Sequence, residues 1–188
     1  MKRRLFVAIN LPEKIREEVF SYQKKWPELP CRWTKKENLH ITLFFLGYVN
    51  DENLPKIIEI LKKVSSEHSS FFIRFTKICY GPIEKKIPRM IWIEVEKTPQ
   101  LLKIQKDLKE LLEEKIINIE KENRAYFPHL TLARIKQWEF RRMDPEEIPE
   151  INEEISLGFK VNKIDLMESQ LKKNGPDYFI LETFYLKQ

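Results

Sequence analysis

Two four-residue frames in this chain carry the residue types of acid–base chemistry. His40-Ile41-Thr42-Leu43 and His129-Leu130-Thr131-Leu132 share one order of histidine, aliphatic residue, threonine and leucine, and together they use two of the three histidines. Both lie in apolar runs that read as β-strands, where residues i and i+2 line one face. His40 therefore shares a face with Thr42, and His129 with Thr131, while Ile41 and Leu43 turn toward a core. An imidazole exchanges a proton near neutral pH, and a hydroxyl beside it can hydrogen-bond an anionic oxygen. Two such pairs supply what an in-line displacement at phosphorus asks for. One imidazole removes a proton from the attacking oxygen, the other protonates the leaving oxygen, and the threonines hold the non-bridging oxygens. A single His-x-Thr on a strand is more often a packed, satisfied histidine. The recurrence points to a site, because strand cores favour β-branched and aromatic residues over this pair.

The elements that must position the two frames follow from periodicity. Arg4 to Ile9 reads as a central strand, with Asn10 as the N-cap of the next helix, Pro12 in its first turn and Glu13 in the capping-box position. Ile15, Val19, Tyr22 and Trp26 form its apolar stripe, and Pro27 and Pro30 end it. Arg32-Trp33-Thr34 is a short strand or loop, in which Trp33 suits packing better than base stacking. A turn is expected after Gly47, then a helix with Leu54, Ile57, Ile58, Leu61 and Val64 on its buried side. His68 falls in a polar linker and reads as an exposed residue without a catalytic part. Phe71 to Phe75 and Arg89 to Val95 read as strands of an antiparallel sheet with one solvated side. Thr98 caps and Pro99 opens a long helix with Leu101, Ile104, Leu108, Leu111 and Leu112 inward. The stretch from Lys115 to Asn123 is charged and irregular. Pro128 cannot donate to a ladder, so His129 belongs near the start of its strand. Residues 137–154 read as a surface loop. Phe159 to Met167 and Tyr178 to Leu186 read as closing strands joined by a turn over Lys172-Lys173-Asn174-Gly175. Similar strand and helix units carry one frame each, which suggests a duplication with two lobes facing each other.

At 188 residues the chain can bury a sizeable core, and 42% hydrophobic with 34% charged residues describes a globular protein with a heavily charged surface. Four glycines and abundant Lys and Glu lean toward a heat-adapted composition. The net charge of +5 favours an anionic partner, although interspersed Lys and Glu also make an ordinary solvated surface. Cys31 and Cys79 show no recognisable spacing and suit a reducing compartment, with a single bridge left open. The basic start meets Asn10, Pro12 and Glu13 too soon for a secretory or membrane-spanning segment, so a cytoplasmic protein is expected. Neither frame brings a third ligand at metal spacing, and Glu37 would have to reach across a bend, so no metal and no cofactor is expected.

With these residues in view the chain resembles the bacterial and archaeal RNA 2′,3′-cyclic phosphodiesterases, also called 2′-5′ RNA ligases, of the two-histidine phosphoesterase superfamily. Besides both frames, the resemblance rests on Arg4 to Ile9, Glu37-Asn38-Leu39, Arg89 to Val95, Phe127-Pro128, Ala133-Arg134, Ser169-Gln170-Leu171 to Gly175, Tyr178 and Phe184. It implies a single bilobal α+β domain over residues 1–188, with two mostly antiparallel sheets, outer helices and a central cleft carrying both His-x-Thr motifs. It also implies hydrolysis of RNA 2′,3′-cyclic phosphate ends to 2′-phosphomonoesters, with His40 as proton donor, His129 as proton acceptor, and a possible reverse 2′-5′ ligation. Thr42 and Thr131 are expected on the non-bridging oxygens. Arg134 and Arg89 are candidate substrate contacts, although strict alternation places Arg134 on the face opposite His129 unless a bulge or the strand end brings it round. RNA 3′ ends bearing cyclic phosphate are the expected partner, the protein a monomer away from membranes. Two other readings stay open: a phosphodiesterase for small 2′-5′ or cyclic nucleotides, and a non-catalytic module that grips RNA ends.

Overall fold

The computed structural model describes residues 1–82, 87–116, 119, 125–173 and 175–188. In chain order these form β1 (Lys2–Asn10), α1 (Glu13–Ser21), β2 (Cys31–Trp33), β3 (His40–Asn50), α2 (Leu54–Glu67), β4 (Phe71–Gly81), β5 (Met90–Val95), α3 (Pro99–Lys115), β6 (His129–Ile135), a short α4 (Gln137–Phe140), β7 (Asn152–Val161), β8 (Lys163–Lys172) and β9 (Gly175–Tyr185). The strands join in the order β7-β4-β5-β6-β3-β1-β8-β9, with β2 beside β6, and the named pairings are antiparallel. The α+β class and the antiparallel pairing agree with the sequence. The two expected sheets, however, are continuous. Their halves meet at the pair Ile41↔Leu130, after which β3 and β6 diverge and β2 takes the vacated edge of β6 through Arg32↔Arg134 and its neighbours.

Alternation along β1 explains how the sheet is covered. Leu5, Val7 and Ile9 enter the main core, to which α1, α2 and α3 contribute Val19, Ile57, Leu61, Ile104 and Leu108. Phe6 and Ala8 point the other way into a small cluster with Met167, Phe45 and Tyr178. A strand buried on both faces reads as a continuous apolar run, which is why β1 was legible as central. In α3, Thr98 accepts from the Leu101 backbone N–H at 3.3 Å, as its N-cap spacing predicts.

Several local expectations are corrected. Asn10 does not cap α1. It ends β1 opposite His40, and its Nδ2 donates to the buried Asp165 at 2.8 Å; Pro12 stands at the helix start instead. No turn follows Gly47: β3 runs on to Asn50, and the positive φ of 72° at this glycine accompanies a register shift against β1. His68 is buried rather than exposed, because it lies where α2 meets α3 and its Nε2 contacts Asp107 Oδ2 at 2.8 Å. Residues 137–154 are not one loop: α4 opens them and β7 begins at Asn152, splitting the expected strand 159–167 between β7 and β8 around Asn162. Residues 117–118 and 120–123 of the charged stretch, and Asn174 of the last turn, lie outside the described residues. Both cysteines are free. No helix among the described residues is long and apolar enough to cross a membrane.

Candidate active site

The pair Ile41↔Leu130 sets the geometry of both frames at once. Side chains directly opposite in an antiparallel ladder share a face, so turning Ile41 and Leu130 into the core turns His40, Thr42, His129 and Thr131 to the other side. The same register sets each histidine across from the other frame's threonine. The two histidines are then diagonal neighbours, a relation that in a regular ladder separates the residues by about 7–8 Å and their Cβ atoms by somewhat less. All four side chains line one cavity of about 500 Å³, within the range of nucleotide-sized ligands.

Each frame continues into a β-bulge. Trp92↔Thr131 is followed by Ile91↔Ala133, which leaves Leu132 as an extra residue in β6. Ala8↔Thr42 is followed by Val7↔Phe44, which does the same for Leu43 in β3. The bulge reverses the parity of the later strand residues, so Phe45 and Arg134 return to the cavity face five residues after their histidines. Arg134 is thus brought round by a bulge, one of the two ways out of strict alternation. Arg89 is not: Met90 opposes Arg134 and lines the cavity, whereas Arg89 stands outside the lining. The bulges leave the threonine carbonyls to side-chain donors. Tyr126 Oη donates to Thr42 O at 3.0 Å and Thr34 Oγ1 to Thr131 O at 2.9 Å.

Backbone carbonyls orient both rings. A carbonyl only accepts, so the contacts of His40 Nδ1 with Asn38 O at 2.7 Å and of His129 Nδ1 with Phe127 O at 2.8 Å put a proton on Nδ1 in both. Nε2 is left for chemistry. In the neutral ring His40 Nε2 accepts from Thr42 Oγ1 at 3.0 Å, while among the described residues no hydrogen bond engages His129 Nε2. His40 packs against Phe6 at 5.0 Å and edge-on against Tyr178 at 5.2 Å; His129 lies 4.5 Å from the Trp92 ring. Both residues are half-buried, with these aromatic rings packed against each imidazole. Burial accordingly pushes His40 down to about 4, against the pull of the Asn38 carbonyl and with help from His129 and Arg134. His129 is lowered for the same first reason, with the Phe127 carbonyl opposing and Arg134 adding.

This has a measurable consequence for stability. Between pH 6.5 and about 4 the unfolded chain binds a proton on residue 40 that the folded chain refuses, so His40's titration lowers stability as pH falls through that window. Denaturant midpoints measured across it should decline less steeply in His40→Gln than in the parent, the comparison cancelling carboxylates common to both. An unchanged slope would contradict the enclosed imidazole.

Trp92 stands behind the cavity lining as a buried packing partner of His129. Its Nε1–H donates to Cys79 Sγ at 3.2 Å, and its ring stacks on Phe127 at 5.2 Å. A Cβ placed on Gly81 would lie 2.4 Å from the indole. Gly81→Ala is therefore expected to displace the platform of His129 and cost roughly 1–3 kcal/mol as overpacking, read from urea unfolding. Wild-type stability in that variant would show that the indole has room to move. Arg4, Arg32 and Tyr178 also line the cavity without having been singled out as site residues. Their available signal was Arg4 within the apolar run of β1. Among the described residues no three of His, Cys, Asp or Glu converge to hold a metal ion.

The chain is similar to known proteins over nearly its whole length. A family model described as LigT like Phosphoesterase matches residues 9–92 and 93–178, one His-x-Thr frame in each segment. A protein of Methanocaldococcus jannaschii named RNA 2′,3′-cyclic phosphodiesterase is 33% identical over 181 residues, covering 95% of this chain and 98% of the relative. One of the same name from Aquifex aeolicus is 32% identical over 187 residues, covering 97% of each. A crystal structure of a Thermus thermophilus protein superposes with a TM-score of 0.85 at 29% identity over 98% of both chains.

Proposed function

Because this chain belongs to the LigT-like phosphoesterase family, we propose that it hydrolyses the 2′,3′-cyclic phosphate at RNA ends to a 2′-phosphomonoester without a metal ion, acting as one bilobal unit. The observation that carries the reading is the pair of Nε2 atoms directed to one cavity by matched Nδ1–H bonds to backbone carbonyls. His129 acts as the base: its Nε2 lone pair takes a proton from water as the water oxygen attacks phosphorus in line with the 3′ oxygen. The P–O3′ bond breaks, and His40 delivers its Nε2 proton to that oxygen. Thr42 and Thr131 donate to the non-bridging oxygens as charge builds there, and Arg134 supplies a fixed positive charge beside them.

The substrate supplies part of the tuning. His40 is held neutral by burial, and a phosphate anion between the rings favours the imidazolium, so the acid is charged on binding. The test is hydrolysis of a dinucleotide ending in a 2′,3′-cyclic phosphate in excess EDTA, with the product identified by phosphorus NMR. Full turnover to the 2′-phosphate is expected. Loss of activity restored by zinc would overturn the metal-free step, and a 3′-phosphate product would reassign the leaving oxygen.

A further inference from the structure

The cavity holds more positive charge than one cyclic diester, a monoanion, requires. Arg4, Arg32 and Arg134 all line it, and among the described residues no Asp or Glu does. Arg134 acts on both histidines and on Tyr178, whereas Arg4 and Arg32 act on Tyr178 and on neither histidine. Burial pushes the Tyr178 phenol up and the guanidiniums of Arg134, Arg4 and Arg32 pull it back, so all three lie within electrostatic reach of one hydroxyl. Arg32 is directly opposite Arg134 in the β2–β6 ladder, a like-charge pairing that costs stability unless an anion lies between.

Neighbouring residues show how unusual this is. Arg3 is paired with Asp51 and Glu168, and Asp177, beside Tyr178 in the chain, holds Lys35 and Lys172. Among the described residues Arg4 and Arg32 have no carboxylate partner. Arg4 instead donates to Ser169 Oγ at 3.1 Å and stands 4.6 Å over the Phe45 ring. Arg32 reaches past Gly175, whose φ of 110° is a backbone conformation that glycine alone adopts at little cost.

We propose that Arg4 and Arg32, beside the Tyr178 hydroxyl, form a second phosphate subsite that holds the phosphodiester on the 5′ side of the reacting nucleotide. The inference rests on the cyclic phosphodiesterase reading and specifies its substrate as an RNA end of at least two nucleotides.

Three substrates test it: adenosine 2′,3′-cyclic phosphate, the ApA dinucleotide with the same end, and that dinucleotide with an uncharged methylphosphonate linkage. The natural dinucleotide should have a kcat/KM about tenfold above the mononucleotide, as one charge-assisted contact allows. The methylphosphonate form should lose that advantage. Arg32→Gln, an exposed position on a short strand, and Arg4→Gln should each shrink the dinucleotide-to-mononucleotide ratio. An advantage retained by the methylphosphonate, or variants that slow all three substrates alike, would overturn the subsite. Dinucleotide binding to the His129→Ala protein gives a readout independent of turnover, in which Arg32→Gln should reduce the slope of log K against log salt by about 0.7. If wild type hydrolyses no cyclic phosphate but this slope change appears, the activity fails and the subsite stands; an unchanged slope removes the subsite whatever the activity.

Discussion

His129→Ala is expected to lower kcat by roughly 10²–10⁴-fold and to abolish the acidic limb of the pH–rate profile. A base works only when neutral, so activity carried by His129 falls as pH drops through its pKa. His40→Ala should cause a loss of similar size and remove the alkaline limb instead, because an acid works only while protonated. In the free protein both groups are pushed below the ordinary histidine value by burial, so the limbs of kcat/KM should fall on the acid side of 6.5. Bound phosphate opposes the shift, and the limbs of kcat should lie higher. The two roles separate on an aryl phosphodiester whose phenolate leaves without a proton. There His40→Ala should recover most of its activity and His129→Ala should not. The reverse pattern would exchange acid and base, and two variants with wild-type profiles would remove acid–base catalysis by these rings.

Thr131→Val and Thr42→Val should each lower kcat by an amount equivalent to about 2–4 kcal/mol, the usual effect of deleting one donor to a developing oxyanion. Valine keeps the β-branched shape that suits a strand, so thermal unfolding should change far less than the rate. The two variants are not equivalent. Among the described residues Thr131 Oγ1 hydrogen-bonds only the weak acceptor Met90 Sδ, at 3.8 Å, so its loss should leave both pH limbs in place. Thr42 Oγ1 also bonds His40 Nε2, and its loss should move the alkaline limb as well as lower the rate. Equal profiles in the two valine variants would show that Thr42 does not govern the acid.

The repeated frame shows how far local pattern reaches. His-x-Thr on an apolar strand specifies a shared face by backbone geometry alone, so the pairing of His40 with Thr42 and of His129 with Thr131 was legible before any fold was known. Thr98-Pro99 and Pro128 were legible for the same reason: their signals act within a few residues. Asn10 misled because a short polar side chain suits a cap and a buried strand end alike, and the choice fell to Asp165, a residue on β8. His68 misled in the same way, since its flanking serines say nothing about Asp107 on α3.

What the chain determined by itself, then, is which residues could carry the chemistry and on which face of their strands they stand, since period-two alternation needs no partner. Tertiary structure decided the rest of the cavity: the bulges at Leu43 and Leu132 that return Phe45 and Arg134, the exclusion of Arg89, and the arrival of Arg4, Arg32 and Tyr178 from β1, β2 and β9. Those outcomes depend on register between segments far apart in sequence, and a one-residue slip in a ladder sends every later side chain to the opposite face.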